Sequence, residues 1–249
     1  MMQVQPTLHI FKDDTLWQEA VISHIIEVVF ETLTGKDYCS ISLSGGSTPR
    51  QIYEKLAREG EKRGLQWDTI RLFWGDERAV PHDHPDSNYR MVKEALLDHI
   101  DIPEENIFPV LNPENPASAA KVYELQLQSQ FSPEEYSFDL SLLGMGDDGH
   151  TASIFPHTDL VHERKSWVKE VYLKKMDVYR ISITAPVINS SRNIAFLIKG
   201  ANKANALKEV LEGEENATEY PSQLIRRSTN VHYFLDKEAS SELRMRNDE

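Results

Sequence analysis

The stretch Gly144-Met145-Gly146-Asp147-Asp148-Gly149-His150-Thr151-Ala152-Ser153 gathers what a hydrolytic site needs: a histidine, carboxylates and a glycine-rich backbone. His150 follows Asp148 by two positions. The carboxylate can therefore fix the ring's tautomer and stabilise the imidazolium that forms when the other nitrogen takes a proton. That makes His150 a candidate general base, against the plainer reading of a solvated loop histidine. Gly144 to Gly149 also fits the G-x-G-x-x-G fingerprint of dinucleotide sites. Two adjacent aspartates would lie against a pyrophosphate, however, and Pro156 cuts off the long helix the fingerprint requires, so the match is rejected.

A second group suits an anion. In Ser44-Gly45-Gly46-Ser47-Thr48-Pro49 the glycines let the backbone approach a ligand, and amides, hydroxyls and the positive end of a following helix can converge on phosphate. The plainer alternative is a strand-to-helix turn with hydroxyl caps. Pro49 replaces the last glycine of the serine-hydrolase elbow, and no Gly-Lys-Ser/Thr follows to make a Walker loop. Trp74-Gly75-Asp76-Glu77-Arg78 places an arginine able to grip phosphate or carboxylate beside acids that can hold it or accept sugar hydroxyls. A surface ion pair is the competing reading. Lys203 in Lys199-Gly200-Ala201-Asn202-Lys203 falls in a first helical turn, where it suits phosphate; Lys199 reads as a surface lysine. Arg180 and Arg192 are weaker binding candidates. His82-Asp83-His84 lacks a third ligand at recognisable spacing and is read as a solvated loop, with no metal expected.

These residues need a scaffold. Apolar positions Leu16, Ala20, Ile22, Ile25, Ile26, Val29 and Leu33 predict an amphipathic helix over Thr15 to Leu33, capped by Asp14 or Thr15 and stopped at Gly35. Strands are predicted at Tyr38 to Leu43, Ile70 to Trp74, Phe138 to Leu143, Tyr179 to Thr184, Ile194 to Ile198 and Val231 to Leu235. Helices are predicted at Pro49 to Arg58, with Pro49 in first position, Asn88 to His99 and Asn202 to Leu211. This alternation predicts an α/β fold with one doubly wound, mostly parallel, Rossmann-like sheet, whose ligands bind beyond the carboxyl ends of the strands.

Length and composition agree with a single domain over residues 1–249, with Ser241 to Glu249 fraying. A net charge of −13 argues against nucleic-acid partners and requires the few cations to gather wherever an anion binds. Met1 to His9 has neither a basic nor an apolar leader region, and no run approaches the roughly 20 apolar residues of a membrane span. With one cysteine, Cys39, no internal disulfide forms, which suits a cytoplasmic setting.

Taken together, SLSGGSTP at Ser42 to Pro49, WGDER at Trp74 to Arg78, HPDSNY at His84 to Tyr89, LGMGDDGHTASIFP at Leu143 to Pro156 and GANKANAL at Gly200 to Leu207 resemble the 6-phosphogluconolactonase family. The blocks occur in order over most of the chain. The resemblance implies hydrolysis of 6-phospho-D-glucono-1,5-lactone to 6-phosphogluconate in the oxidative pentose phosphate pathway, with no metal or other cofactor. His150, Asp148 and Arg78 would then be catalytic. Ser44, Gly45, Gly46, Ser47, Thr48, Lys203, Asp76 and Arg180 would bind substrate. A monomer or weak homo-oligomer is expected. One alternative is the related glucosamine-6-phosphate deaminases, whose corresponding block resembles GxDGHIAFNEP; the Asn-Glu pair is replaced here by Thr151-Ala152-Ser153-Ile154-Phe155-Pro156. Another is a non-catalytic sugar-phosphate sensor, which would not need Asp148 and His150.

Overall fold

The computed structural model describes residues 6–131, 137–225 and 230–244. Cys39–Leu43 is a strand, β2, with all its residues buried. Burial on both faces is what a parallel sheet covered by helices imposes. Around β2 run β1 (Thr7–Phe11), β3 (Ile70–Trp74), β5 (Ile107–Phe108), β6 (Leu140–Leu143), β9 (Asn193–Ile198) and β10 (Val231–Asp236), in the order β1-β10-β9-β6-β2-β3-β5. Every pairing in this sheet is parallel. From β2 the chain moves outward to β3 and β5, then returns to lay β6 on the other side of β2. The crevice at such a reversal, beyond the carboxyl ends of the strands, is where ligands bind in open α/β sheets. Here it lies between the loop after β2 and the loop after β6.

The helices are α1 (Asp14–Leu33), α2 (Ser47–Glu59), α3 (Asn88–Ala95), α4 (Pro116–Gln130), α5 (Ala185–Asn189) and α6 (Ala204–Glu212). Helix α1 buries Trp17, Val21, Ile22, Ile25 and Val29, each worth about 1.5–3 kcal/mol when a side chain of this size leaves water. Its cap is Asp13, which accepts from the Leu16 amide at 3.1 Å, rather than Asp14 or Thr15. No helix among the described residues is long and apolar enough to cross a membrane.

A second sheet, absent from the sequence expectation, sits at the carboxyl edge. Strand β4 (Asp76–Arg78) pairs antiparallel with β8 (Val178–Ile183), which pairs antiparallel with β7 (Val168–Leu173). The strand expected at Tyr179 to Thr184 therefore exists one residue earlier and belongs to this small sheet. Gly75 joins the two sheets: its amide donates to Leu43 O at 2.8 Å, and its carbonyl accepts from the Ile183 amide at 2.9 Å. Helix α3 stops at Ala95, where Leu96 leaves helical geometry, and a 3-10 turn continues over Leu97–His99. The helix expected from Asn202 begins as a 3-10 turn, Ala201–Lys203, before α6. In the predicted fraying tail, Leu243 is buried and the Arg244 amide donates to Glu212 at 2.8 Å. Residues 245–249 lie outside the described residues.

Candidate active site

The loop after β6 is built around its histidine. His150 Nδ1 lies 2.6 Å from Asp148 Oδ1, which also accepts the His150 amide at 3.1 Å. Partial burial works against the Asp148 charge, but the hydrogen bonds and charge of His150 outweigh it and hold the carboxyl below its ordinary range. The ring stacks on Phe155, centroids 3.9 Å apart and planes within 22°. The turn is closed by Gly146 N donating to His150 O at 2.8 Å and by Thr151 Oγ1 donating to Gly144 O at 2.9 Å. Gly146 is glycine for a steric reason: a Cβ there would stand 2.1 Å from His150 Nδ1 and 2.5 Å from Asp148 Oδ1. With Nδ1 engaged, Nε2 has no partner among the described residues and is left to exchange a proton.

Across the crevice, α2 begins at Ser47 rather than at Pro49, so Pro49 is the third helical residue. Its cap, Gly46, has φ of 104°, a backbone state that excludes ordinary side chains. The amides of Gly45, Gly46, Ser47 and Thr48 donate to no described residue, which leaves a set of N–H groups at the positive end of α2. The Ser44 amide is not part of this set. It donates to the Tyr53 hydroxyl at 3.0 Å, and that hydroxyl donates to Ser44 O at 2.9 Å. Ser44 Oγ is buried without a hydrogen-bond partner. Gly45 also departs from expectation, because the space its Cβ would fill is taken by Asn88, whose Oδ1 would stand 1.9 Å away.

The acids of the Trp74-to-Arg78 segment do not hold the arginine side chain. Glu77 is buried and accepts from Arg78 N at 2.6 Å, Asn88 N at 2.7 Å, Tyr89 N at 2.7 Å and Ser87 Oγ at 3.1 Å. Burial drives its carboxyl above the ordinary range, opposed by the amides of Asn88, Arg78 and Tyr89. It anchors the start of α3. Asp76 Oδ2 accepts from Ser153 Oγ at 2.6 Å and Oδ1 from Asn88 Nδ2 at 3.2 Å. Both of its oxygens are thus engaged by protein.

Arg78 and Arg180 are register partners across β4 and β8. Arg78 donates to Asp86 O, and neither guanidinium forms a salt bridge among the described residues. Burial first, then the Arg78 charge, lowers Arg180 from its ordinary value, with Asp76 and Glu77 opposing. Like charges directly opposite in a sheet repel, so this pair creates a local demand for an anion. Lys203, the last residue of the 3-10 turn between β9 and α6, has no partner among the described residues. Lys199 instead pairs with Asp14 and lies over the Trp17 ring at 5.0 Å. Arg192 precedes β9 and stands at the opposite, amino edge of the sheet.

His82 is taken up by Val110 O at 2.7 Å and by stacking on Tyr89. No group of three or more His, Cys, Asp or Glu among the described residues could hold a metal ion. Sequence reasoning missed Asn88, Ser153, Phe155 and Tyr220. The first three lie in the quoted blocks but carry no unpaired charge to draw notice. Tyr220 packs on Gly149, where a Cβ would meet its Cδ1 at 3.0 Å, and the neighbouring Ser222 amide donates to Gly149 O at 2.9 Å.

Residues 12–234 match the family model described as glucosamine-6-phosphate isomerases/6-phosphogluconolactonase. A protein of Synechocystis sp. named 6-phosphogluconolactonase is 44% identical over 211 residues, covering 82% of this chain and 85% of that one. A Nostoc sp. protein of the same name is 39% identical over 245 residues, covering 96% of this chain and 99% of its own. The solved structure of 6-phosphogluconolactonase from Trypanosoma brucei superposes with a TM-score of 0.85 at 30% identity, covering 96% of this chain and 99% of that chain.

Proposed function

The chain belongs to the family of glucosamine-6-phosphate isomerases and 6-phosphogluconolactonases, and on that premise we propose that it hydrolyses 6-phospho-D-glucono-1,5-lactone to 6-phosphogluconate. The observation that carries this reading is the Asp148–His150 pair at 2.6 Å, set across the crevice from an anion-seeking helix start in a relative of proteins named for the same reaction. The 6-phosphate binds the free amides and hydroxyls of Gly45 to Thr48 together with Lys203, and Arg180 or Arg78 completes its neutralisation.

His150 Nε2 takes a proton from water as the water oxygen attacks the lactone carbonyl carbon. Asp148 stabilises the resulting imidazolium. The tetrahedral oxyanion is stabilised by Arg78 or by amides of the Gly144 to Gly149 turn. Its collapse breaks the bond between the carbonyl carbon and the ring oxygen, and the imidazolium proton passes to that oxygen. The acid so formed ionises, and no covalent enzyme intermediate arises. The reaction belongs to the oxidative pentose phosphate pathway. The enzyme acts in the cytoplasm, as a single domain and as a monomer or weak homo-oligomer.

The test is hydrolysis of the phosphorylated and unphosphorylated lactones at about pH 6 to 7, where spontaneous opening is slow enough to subtract. Catalysis strongly favouring the phosphorylated lactone is expected. Ammonia release from glucosamine-6-phosphate without lactone hydrolysis, or binding of 6-phosphogluconate with no turnover of either substrate, would overturn it.

A further inference from the structure

The HPDSNY segment is not absorbed by the chemistry above, yet its asparagine stands where three loops meet. Asn88, the first residue of α3, is 1% exposed. Its Nδ2 donates to Asp76 O at 2.9 Å and to Asp76 Oδ1 at 3.2 Å. Those two acceptors fix the amide's orientation, because Oδ1 turned toward them would face oxygens with no proton between. Oδ1 therefore points the other way, buried and without a hydrogen-bond partner. It lies over Gly45, filling the space that a Cβ would occupy at 1.9 Å. The other side of Asp76 reaches the histidine loop, where Ser153 Oγ donates to Oδ2 at 2.6 Å. Ser153 is itself fixed, its amide donating to Ser182 Oγ at 3.1 Å. The start of α3 cannot drift, since Glu77 accepts the amides of both Asn88 and Tyr89 at 2.7 Å.

We propose that Asn88 is a positioning residue that, through Asp76 and Ser153, sets the distance between the Gly45-to-Thr48 anion loop and the His150 loop. It rests on the hydrolase reading above. The amide is suited to this task as no other side chain of its length is. Its nitrogen donates to Asp76 in two directions, while its oxygen carries no hydrogen and can close on the Gly45 Cα, a contact available to a C–H···O approach. Asp76, whose oxygens are both engaged, is thereby a strut between loops.

The experiment uses the full chain and 6-phospho-D-glucono-1,5-lactone. In Asn88→Asp a carboxyl faces the Asp76 carboxylate, and two acids so placed retain a shared proton at mildly acid pH. The protonated pair restores a donor toward Asp76. The kcat/KM of Asn88→Asp relative to the unsubstituted chain should then rise roughly tenfold between about pH 7.5 and about pH 5.5, with the fold verified by circular dichroism at each pH. A ratio constant across that range overturns the proposal.

If Asn88→Asp does not fold, Gly45→Ala supplies the test. In the unsubstituted chain the new methyl strikes Asn88, and kcat/KM should fall roughly 10- to 100-fold, the effect of displacing a reactive geometry by about 1 Å. In an Asn88→Ala background, which itself raises KM and lowers kcat together, Gly45→Ala should cost less than about threefold by the same geometric argument. Equal costs in the two backgrounds overturn the proposal. Loss of lactone hydrolysis in the unsubstituted chain would instead mark a failure of the functional reading.

Discussion

At the scale of single residues, the proposed mechanism rests on one imidazole, His150, whose Nδ1 is held by Asp148 and whose Nε2 has no partner among the described residues. His150→Asn is expected to lower kcat by roughly 10² to 10⁴, the yield of a positioned general base, with substrate affinity nearly kept. Asp148→Asn should cost less, because the ring remains stacked on Phe155 after the orienting charge is gone. The pH dependence has a definite sign. Because His150 holds the Asp148 carboxyl below its ordinary range, the orienting charge survives as pH falls, so Asp148 does not set the acid limb of the rate profile. Steady-state rates across pH should show a limb that disappears in His150→Asn; a limb that persists there assigns the base to another group. Lys203→Ala should raise KM by roughly 10- to 100-fold, equivalent to the about 1.5–3 kcal/mol of a lost charged hydrogen bond. An unchanged KM would remove Lys203 from the phosphate site.

At the scale of elements, the small sheet brings two arginines into register across β4 and β8, and neither forms a salt bridge among the described residues. Like charges so placed repel, and an anion bound between them would offset that repulsion. Arg180→Met is accordingly expected to stabilise the ligand-free chain by about 0.2–1 kcal/mol, while weakening 6-phosphogluconate binding. Thermal unfolding with and without that product measures both effects, and a variant less stable than its parent when ligand-free would contradict the argument. This sheet also marks where sequence reading stopped. The strands β2, β3, β6, β9 and β10 are short, mainly apolar segments that alternate with helices, and their order implied the parallel sheet and the loops at its carboxyl edge. Strand β4 has three residues, all charged, and β7 alternates weakly, so neither offers a pattern strong enough to read. Helix α4 buries only Ala119, Ala120, Tyr123 and Leu127, too faint a stripe among alanines and glutamines. Within the site, charges and glycines were visible, but their partners were not. Gly45 reads as room for a ligand and is in fact room for Asn88, a contact between segments 43 positions apart that only the fold discloses.

At the scale of the whole molecule, acid stability has a source distant from the crevice. His9 on β1, His232 on β10 and His24 on α1 pack together, with His9 Nε2 and His232 Nδ1 at 3.0 Å and the His24 and His232 rings 4.5 Å apart. Burial, then the neighbouring His232 and His9, pushes His24 down to about 4. Its folded value is depressed, so the unfolded chain binds the proton more readily below about pH 6.5. Stability is therefore lost as pH falls from there toward about 4. His24→Leu should abolish about 2 kcal/mol of the loss between about pH 7.5 and about pH 5, as measured by urea unfolding. An identical acid loss in the variant would show that the trio does not control it. The same corner of the molecule constrains how the protein can be made. Strand β10 lies between β9 and β1, and Thr7 is in register with His232. At about 5–20 residues per second, a nascent chain carries β1 for roughly 10 to 45 seconds before β10, its partner in the sheet, has been synthesised. A chain cut short between Phe11 and Val231 lacks the strand on which β1 is seated, and β1 is then an unpaired edge open to other chains.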